Sequence, residues 1–188
     1  MWYYSVSSYS FLPTAFLSGD KVTKQQIIDF IEYIDPEIKI EFVTERTMRR
    51  RKVYSVAYAQ PYKWLVCFSK DIVKWNSLIV YSVILHELGH IYTGVSKSDP
   101  QDELRAQLWG IKIAQLLKFY GVAEYMWKEI CDLYKTQTYN EGRKYFIASK
   151  LANRIPNPIK SYRVYQAIEF ENGVSNPGWF NQLLKMII

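Results

Sequence analysis

The stretch Ile84-Leu85-His86-Glu87-Leu88-Gly89-His90-Ile91-Tyr92-Thr93 decides how the rest of the chain is read. Both histidines of the protein lie in it. On an α-helix, residues i and i+4 stand one turn apart on the same face. His86 and His90 therefore aim two imidazoles at one point, as two ligands of a Zn²⁺ ion must. Glu87 reaches toward a water at that point but is angled away from the ligand positions, which suits a general base. The bland alternative is a solvated helix face that happens to carry two histidines. Three features oppose it. The segment from Leu78 to Ile91 is strongly apolar, so this face is half buried. Buried imidazoles need partners. Gly89 in a helix interior costs about 1 kcal/mol relative to Ala, which is reasonable only where something approaches closely.

A catalytic zinc takes three protein ligands and keeps one position open. There is no third histidine, and Thr93 and Ser96 stand where a metzincin would carry its Gly and third His. The third ligand is then a carboxylate, from Asp99, Asp102 or Glu103. Asp99 reads as an N-cap ahead of Pro100, and Asp102 as a first-turn acid favoured by the helix dipole. Positions 103, 106, 107, 110 and 114 form one helical stripe reading Glu, Ala, Gln, Gly, Ala. Small residues let one helix come close to another, so Glu103 at the head of that stripe is the expected ligand. Its bland reading is an exposed first-turn glutamate. Gln107, one turn on, is placed to hydrogen-bond the outer nitrogen of a ligating histidine.

His86-Glu87-Leu88-Gly89-His90 followed by Glu103-Leu104-Arg105-Ala106-Gln107-Leu108-Trp109 resembles the gluzincin pattern. More narrowly, it is similar to the minimal gluzincins and ImmA/IrrE-type peptidases, whose second segment reads roughly Glu-x-x-Ala-Asn-x-Phe-Ala. Glu103 and Ala106 match, Trp109 stands for the aromatic and Gly110 for the small residue, while Gln107 replaces Asn. The resemblance covers about residues 23 to 120. It implies a zinc-dependent endopeptidase with one Zn²⁺ on His86, His90 and Glu103, and Glu87 as general base. It also implies a protein or peptide substrate held extended along an edge strand. By chain order that strand is Val53 to Ala59. A second oxyanion donor would come from the tyrosines or arginines between Tyr139 and Tyr165.

Around this centre the pattern is α+β. Thr23 and Gln26 form a capping box for a helix that ends near Asp35-Pro36. Ile38, Ile40 and Phe42 alternate as a strand. Val53 to Ala59 and Trp64 to Phe68 read as a hairpin around Gln60 to Lys63. A helix follows Asp71 and stops at Gly94. Another runs from Pro100 to about Tyr120 and ends at Gly121. Further helices are expected over Ala123 to Thr136, Asn140 to Ile155 and Pro158 to Phe170, with a final apolar one up to Ile188. The expected architecture is a small, mostly antiparallel sheet with a hairpin edge strand, packed on an active-site helix and a glutamate helix. Residues 1–121 form the peptidase core and 122–188 a helical extension.

Apolar residues make up 49% of the 188 and aromatics 16%, enough for a sizeable core and too many for a disordered chain. The net charge of +6 bears on association rather than on a particular function. Five of the seven residues from Arg46 to Lys52 are basic. They read as a solvated connecting loop, with a phosphate-contacting patch as the functional rival. A nucleic-acid-binding or inactive zinc-binding protein is thus the alternative, with Lys160 and Arg163 as further basic positions. Structural zinc shells are usually closed and rich in cysteine, and neither Cys67 nor Cys131 is near the motif. Those two read as buried apolar residues in a reducing compartment. The serine-interrupted start lacks a positive n-region, and no apolar run approaches the roughly 20 residues of a membrane span. The expectation is a soluble, cytoplasmic protein without membrane contact.

Overall fold

The computed structural model describes residues 21–94, 100–136, 139–155 and 157–159. Helix α1 (Lys24–Ile34) starts as expected. The amide of Gln26 donates to Thr23 Oγ1 at 3.2 Å, and the amide of Thr23 donates to Gln26 Oε1 at 2.8 Å. It buries Ile27, Phe30 and Ile31 and gives way to extended backbone at Asp35, where the following proline disfavours helix. Strand β1 (Lys39–Val43), helix α2 (Glu45–Arg50), strand β2 (Ala57–Gln60) and strand β3 (Leu65–Ser69) come next. A 3₁₀ turn at Pro61–Lys63 closes the β2–β3 hairpin, and a second at Lys70–Lys74 follows β3.

The sheet order is β1-β3-β2. β2 pairs with β3 antiparallel and β1 pairs with β3 parallel, so the small sheet is mixed. The first strand of the hairpin lies at an edge and the second in the middle, as the chain order led us to expect. Ile40, Phe42, Val66, Phe68, Ala57 and Ala59 face the main core. On the other face Glu41, Cys67 and Tyr58 lie side by side across the three strands, beneath α2.

Helix α3 (Ser77–Thr93) runs through the centre of the molecule. Asn76 caps it, Oδ1 accepting from the Ile79 amide at 3.0 Å. Gly94 ends it with φ 70°, a left-handed cap that glycine adopts without a steric penalty. Val80, Tyr81, Ile84, Leu85, Leu88 and Ile91 are all buried. Helix α4 (Pro100–Leu116) crosses α3 antiparallel, followed by α5 (Tyr120–Thr136) and α6 (Tyr139–Ala152). Val122, Ala123 and Met126 of α5 belong to the same core as α3 and the sheet. Cys67 and Cys131 are free thiols in β3 and α5, the former buried.

Four local readings are corrected. Residues 46–52 are mostly helix rather than loop. Thr44 caps α2, Glu45 pairs with Arg49 one turn on at 2.5 Å, and Met48 anchors it in the core. The strand expected over residues 53–59 begins only at Ala57. The Ser55 hydroxyl donates to the Ala57 carbonyl, a local bond that competes with the ladder. The helix expected directly after Asp71 is a 3₁₀ turn, with extended Trp75 separating it from α3. Helix α4 ends at Leu116, not near Tyr120. Lys118 takes φ 62°, the Phe119 amide returns to Ala114 O at 2.7 Å, and Gly121 sits in the first turn of α5. Asp99 and the segments expected to be helical beyond residue 159 lie outside the described residues.

Candidate metal centre

The site forms where α3 and α4 touch backbone to backbone. A Cβ on Gly89 would stand 2.1 Å from the carbonyl oxygen of Ala106, and one on Gly110 would stand 2.7 Å from that of Leu85. The two glycines and Ala106 thus set the spacing, and the small-residue stripe of α4 is the contact. That approach carries Glu103, only 4% exposed, up to the histidine face of α3.

His86 Nε2 lies 3.2 Å from His90 Nε2. Glu103 Oε2 lies 3.4 Å from His86 Nε2 and 3.8 Å from His90 Nε2. Three atoms so spaced are all about 2.0–2.1 Å from one common point, the bond length of Zn²⁺ to imidazole nitrogen and carboxylate oxygen. The three residues therefore fit a metal ion. Their chemistry is compatible with one. Two nitrogens and an oxygen, all lone-pair bearers when unprotonated, converge in a partly buried place where only a proton or a cation reconciles them. Burial by itself would depress the His86 pKa. The hydrogen bond and charge of Glu103, with Glu87 and Gln107, outweigh burial and push it up to about 9.

The other expected residues are placed as follows. Glu87 is 7% exposed. It is not one of the converging groups, yet its charge is felt at His86. Gln107 Oε1 sits 2.7 Å from His86 Nδ1, so the exchange of Asn for Gln still delivers a contact to the outer nitrogen. Asp102 is engaged by Arg105 Nη1 at 3.2 Å and is outside the cluster. Sequence reasoning missed Glu129, on α5. It lies near Gln107 and within the field of His86, and both act to lower its pKa. Crowding by the protein raises its pKa against both of those pulls. No spacing in the chain links residue 129 to residues 86 or 107.

The basic run is partly consumed within the fold. Arg51 holds Glu41 through two nitrogens at 2.9 and 3.0 Å and donates to Tyr58 Oη at 2.5 Å. Arg49 is paired with Glu45. Arg46, Arg50 and Lys52 are exposed. A cavity of about 480 Å³ beside α2, lined by Met48, Val53, Val56 and Trp75 among others, shares no residue with the metal cluster.

The chain matches no protein-family model, and no curated protein or solved structure is significantly similar to it. Among the described residues no helix is long and apolar enough to cross a membrane.

Proposed function

We propose that this protein is a zinc-dependent endopeptidase of the gluzincin kind, closest in pattern to the minimal gluzincins and ImmA/IrrE-type peptidases. One observation carries the reading. His86, His90 and Glu103 bring three ligand atoms to metal-bonding distance of one point, and a buried carboxylate, Glu87, follows the first of them. Two imidazoles and one carboxylate are a donor set that suits catalytic zinc. When bound, such a metal supplies Lewis acidity toward a scissile carbonyl and toward the attacking water.

The chain's own residues do the rest. Glu87 accepts the proton of the attacking water on its carboxylate and returns it to the leaving amine nitrogen. Gln107 holds His86 from behind. The edge strand β2 lies next to α3 and offers its unpaired side to an extended peptide, which would add as a further strand.

The test pairs metal content with turnover. Glu87→Gln should bind zinc at the wild-type ratio and keep the fold. It should lose peptide hydrolysis by 10²- to 10⁴-fold, roughly 3–5 kcal/mol of barrier. Both proteins are assayed on an unstructured peptide library, full length and with the apolar segment 176–188 removed, so that any latency imposed by that segment is tested as well. Equal rates with zinc confirmed in both would exclude Glu87 as the base. Inactivity of the truncated wild type with zinc bound would overturn the peptidase reading.

A further inference from the structure

The cavity beside α2 and the unconsumed part of the basic run form one surface that the metal cluster does not use. Met48, Val53 and Val56 give the cavity an apolar lining, and Tyr54 and Trp75 add two rings to it. Tyr54 is 90% exposed and Trp75 40%, so both rings are open to a ligand rather than spent on the core. At about 480 Å³ the space is of the size that takes small planar ligands, roughly 300–1,000 Å³. Charge is partitioned around it. Of the lining residues, Glu45 is paired with Arg49 at 2.5 Å and Asp71 with Lys74 at 2.7 Å, each through one carboxylate oxygen. The lining therefore keeps acceptor oxygens with little net charge. Outside it, Arg46, Arg50 and Lys52 are exposed and make no ion pair among the described residues. Arg46 and Arg50 stand one turn apart on α2, hence on one face. Arg51, bound to Glu41 and Tyr58, fixes the end of that helix on the sheet.

We propose that this surface binds single-stranded nucleic acid: Arg46, Arg50 and Lys52 hold the phosphates, and a base enters the cavity against Tyr54 and Trp75. The ligand that suits such a partition carries its negative charge on a backbone and neutral rings with N–H donors beside it. Cationic groups track the phosphates, and aromatic side chains stack any base, since every base has a π-face. Base amino groups donate to carboxylates, as cytosine does to Asp or Glu, so Glu45 and Asp71 receive a base rather than repel it. An acidic peptide fits less well, because side-chain carboxylates entering the cavity would meet those two acids. Only an unstacked base offers its face and edge to a cavity, which favours a single strand over a duplex. No residue of this surface belongs to the metal cluster, so the proposal stands or falls apart from the peptidase reading.

The experiment measures fluorescence anisotropy of labelled DNA and RNA single strands of about 15 nucleotides, and of the matching DNA duplex, with the full-length protein. Salt is varied from about 50 to about 200 mM. At least one single strand should bind more tightly than the duplex. Its log affinity should fall against log salt with a slope of about −2, as three phosphate contacts on a single strand give. Arg46→Gln/Arg50→Gln/Lys52→Gln should bring that slope close to zero. Tyr54→Ala and Trp75→Leu should each weaken binding at least about fivefold with the slope unchanged, the effect of losing a stacked base. Lys118→Gln/Lys128→Gln/Lys150→Gln removes the same charge from exposed positions on other elements and should leave affinity within about twofold, since screening limits its reach. Circular dichroism checks each fold, and Tyr54→Ala, at an exposed position, carries the stacking test if Trp75→Leu misfolds. The proposal is overturned by no binding to either single strand, by a duplex bound as tightly, by wild-type affinity in Tyr54→Ala, or by equal losses in the two triple variants. It is also overturned if a glutamate–tyrosine copolymer displaces the labelled strand as well as the unlabelled strand does, which would make this a surface for acidic protein instead.

Discussion

Gly89 is where two helices meet without a side chain between them. Its missing Cβ would lie 2.1 Å from Ala106 O and 2.8 Å from Ala106 Cα, and backbone atoms cannot swing aside as a flexible side chain does. Gly89→Ala gains about 1 kcal/mol of helix propensity but forces α3 and α4 apart, an overpacking cost of typically 1–3 kcal/mol or more. We expect a net loss of stability in urea unfolding, together with weaker zinc binding because Glu103 moves with α4. Unchanged affinity would show that Gly89 does not set the ligand spacing. His86 makes a second prediction at this scale. Its folded pKa is raised from an ordinary value near 6.5 to about 9. In the metal-free protein, the stabilisation from that proton is therefore complete below about pH 6.5 and vanishes as pH rises through about 9. A metal occupies the same lone pair, so binding expels the proton. Zinc affinity should tighten by about tenfold per pH unit between pH 7 and 9, as release of one proton requires. A flat pH profile of affinity would contradict this.

Helix α2 shows how an element read as a charged loop becomes part of the scaffold. It covers the sheet face opposite α3, with Met48 buried and Arg51 just past its end bound to Glu41 and Tyr58 across the strands. The Arg51 guanidinium holds the Glu41 carboxyl below the usual range, against a smaller opposing effect of burial. Burial pushes the neighbouring Cys67 thiol up, so it is an inert core group. Because the folded pKa of Glu41 is depressed, its contribution is present above the unfolded carboxylate range and is lost as pH falls through the folded value. Both partners are more than a third exposed, so solvent screening keeps the effect small. Arg51→Met retains the apolar stem and should be slightly less stable than wild type at pH 7. That difference should narrow at pH 3.5, as compared by urea unfolding at the two pH values. A constant gap would assign the loss to packing rather than to the ion pair.

For the whole molecule, the three candidate ligands come from two helices backed by a third, so a metal held there would tie α3 to α4 and report on the folded state alone. At a free zinc concentration 100-fold above Kd, one such site adds about 2.7 kcal/mol. For a chain of this size that raises Tm by roughly 5–10 °C. Calorimetry with zinc and with excess chelator should show the difference in the wild type and not in His90→Ala. The absence of a shift in the wild type would argue that the three residues do not act as a metal site.

The sequence alone was enough for features governed by short-range periodicity and capping. The i, i+4 histidines share a face because of helix geometry, and Glu103 joins them because the small residues at 106 and 110 fall on its stripe. Thr23 with Gln26, Asn76 aside, and Gly94 mark helix ends through hydrogen bonds that span only a few residues. Tertiary structure decided what depends on faces meeting across the chain. Met48 turns a basic run into a helix only because a sheet lies beneath it. The parallel pairing of β1 with β3 follows from where the intervening α2 and β2 pack. Gln107 reaches the Met126 carbonyl because α5 is seated with Met126 against Gly110, a contact between residues sixteen apart that no local spacing encodes. The rotation of one helix about its axis against another is a sum of many long-range contacts, and it is that rotation which decides whether a carboxylate such as Glu103 faces water or the two histidines.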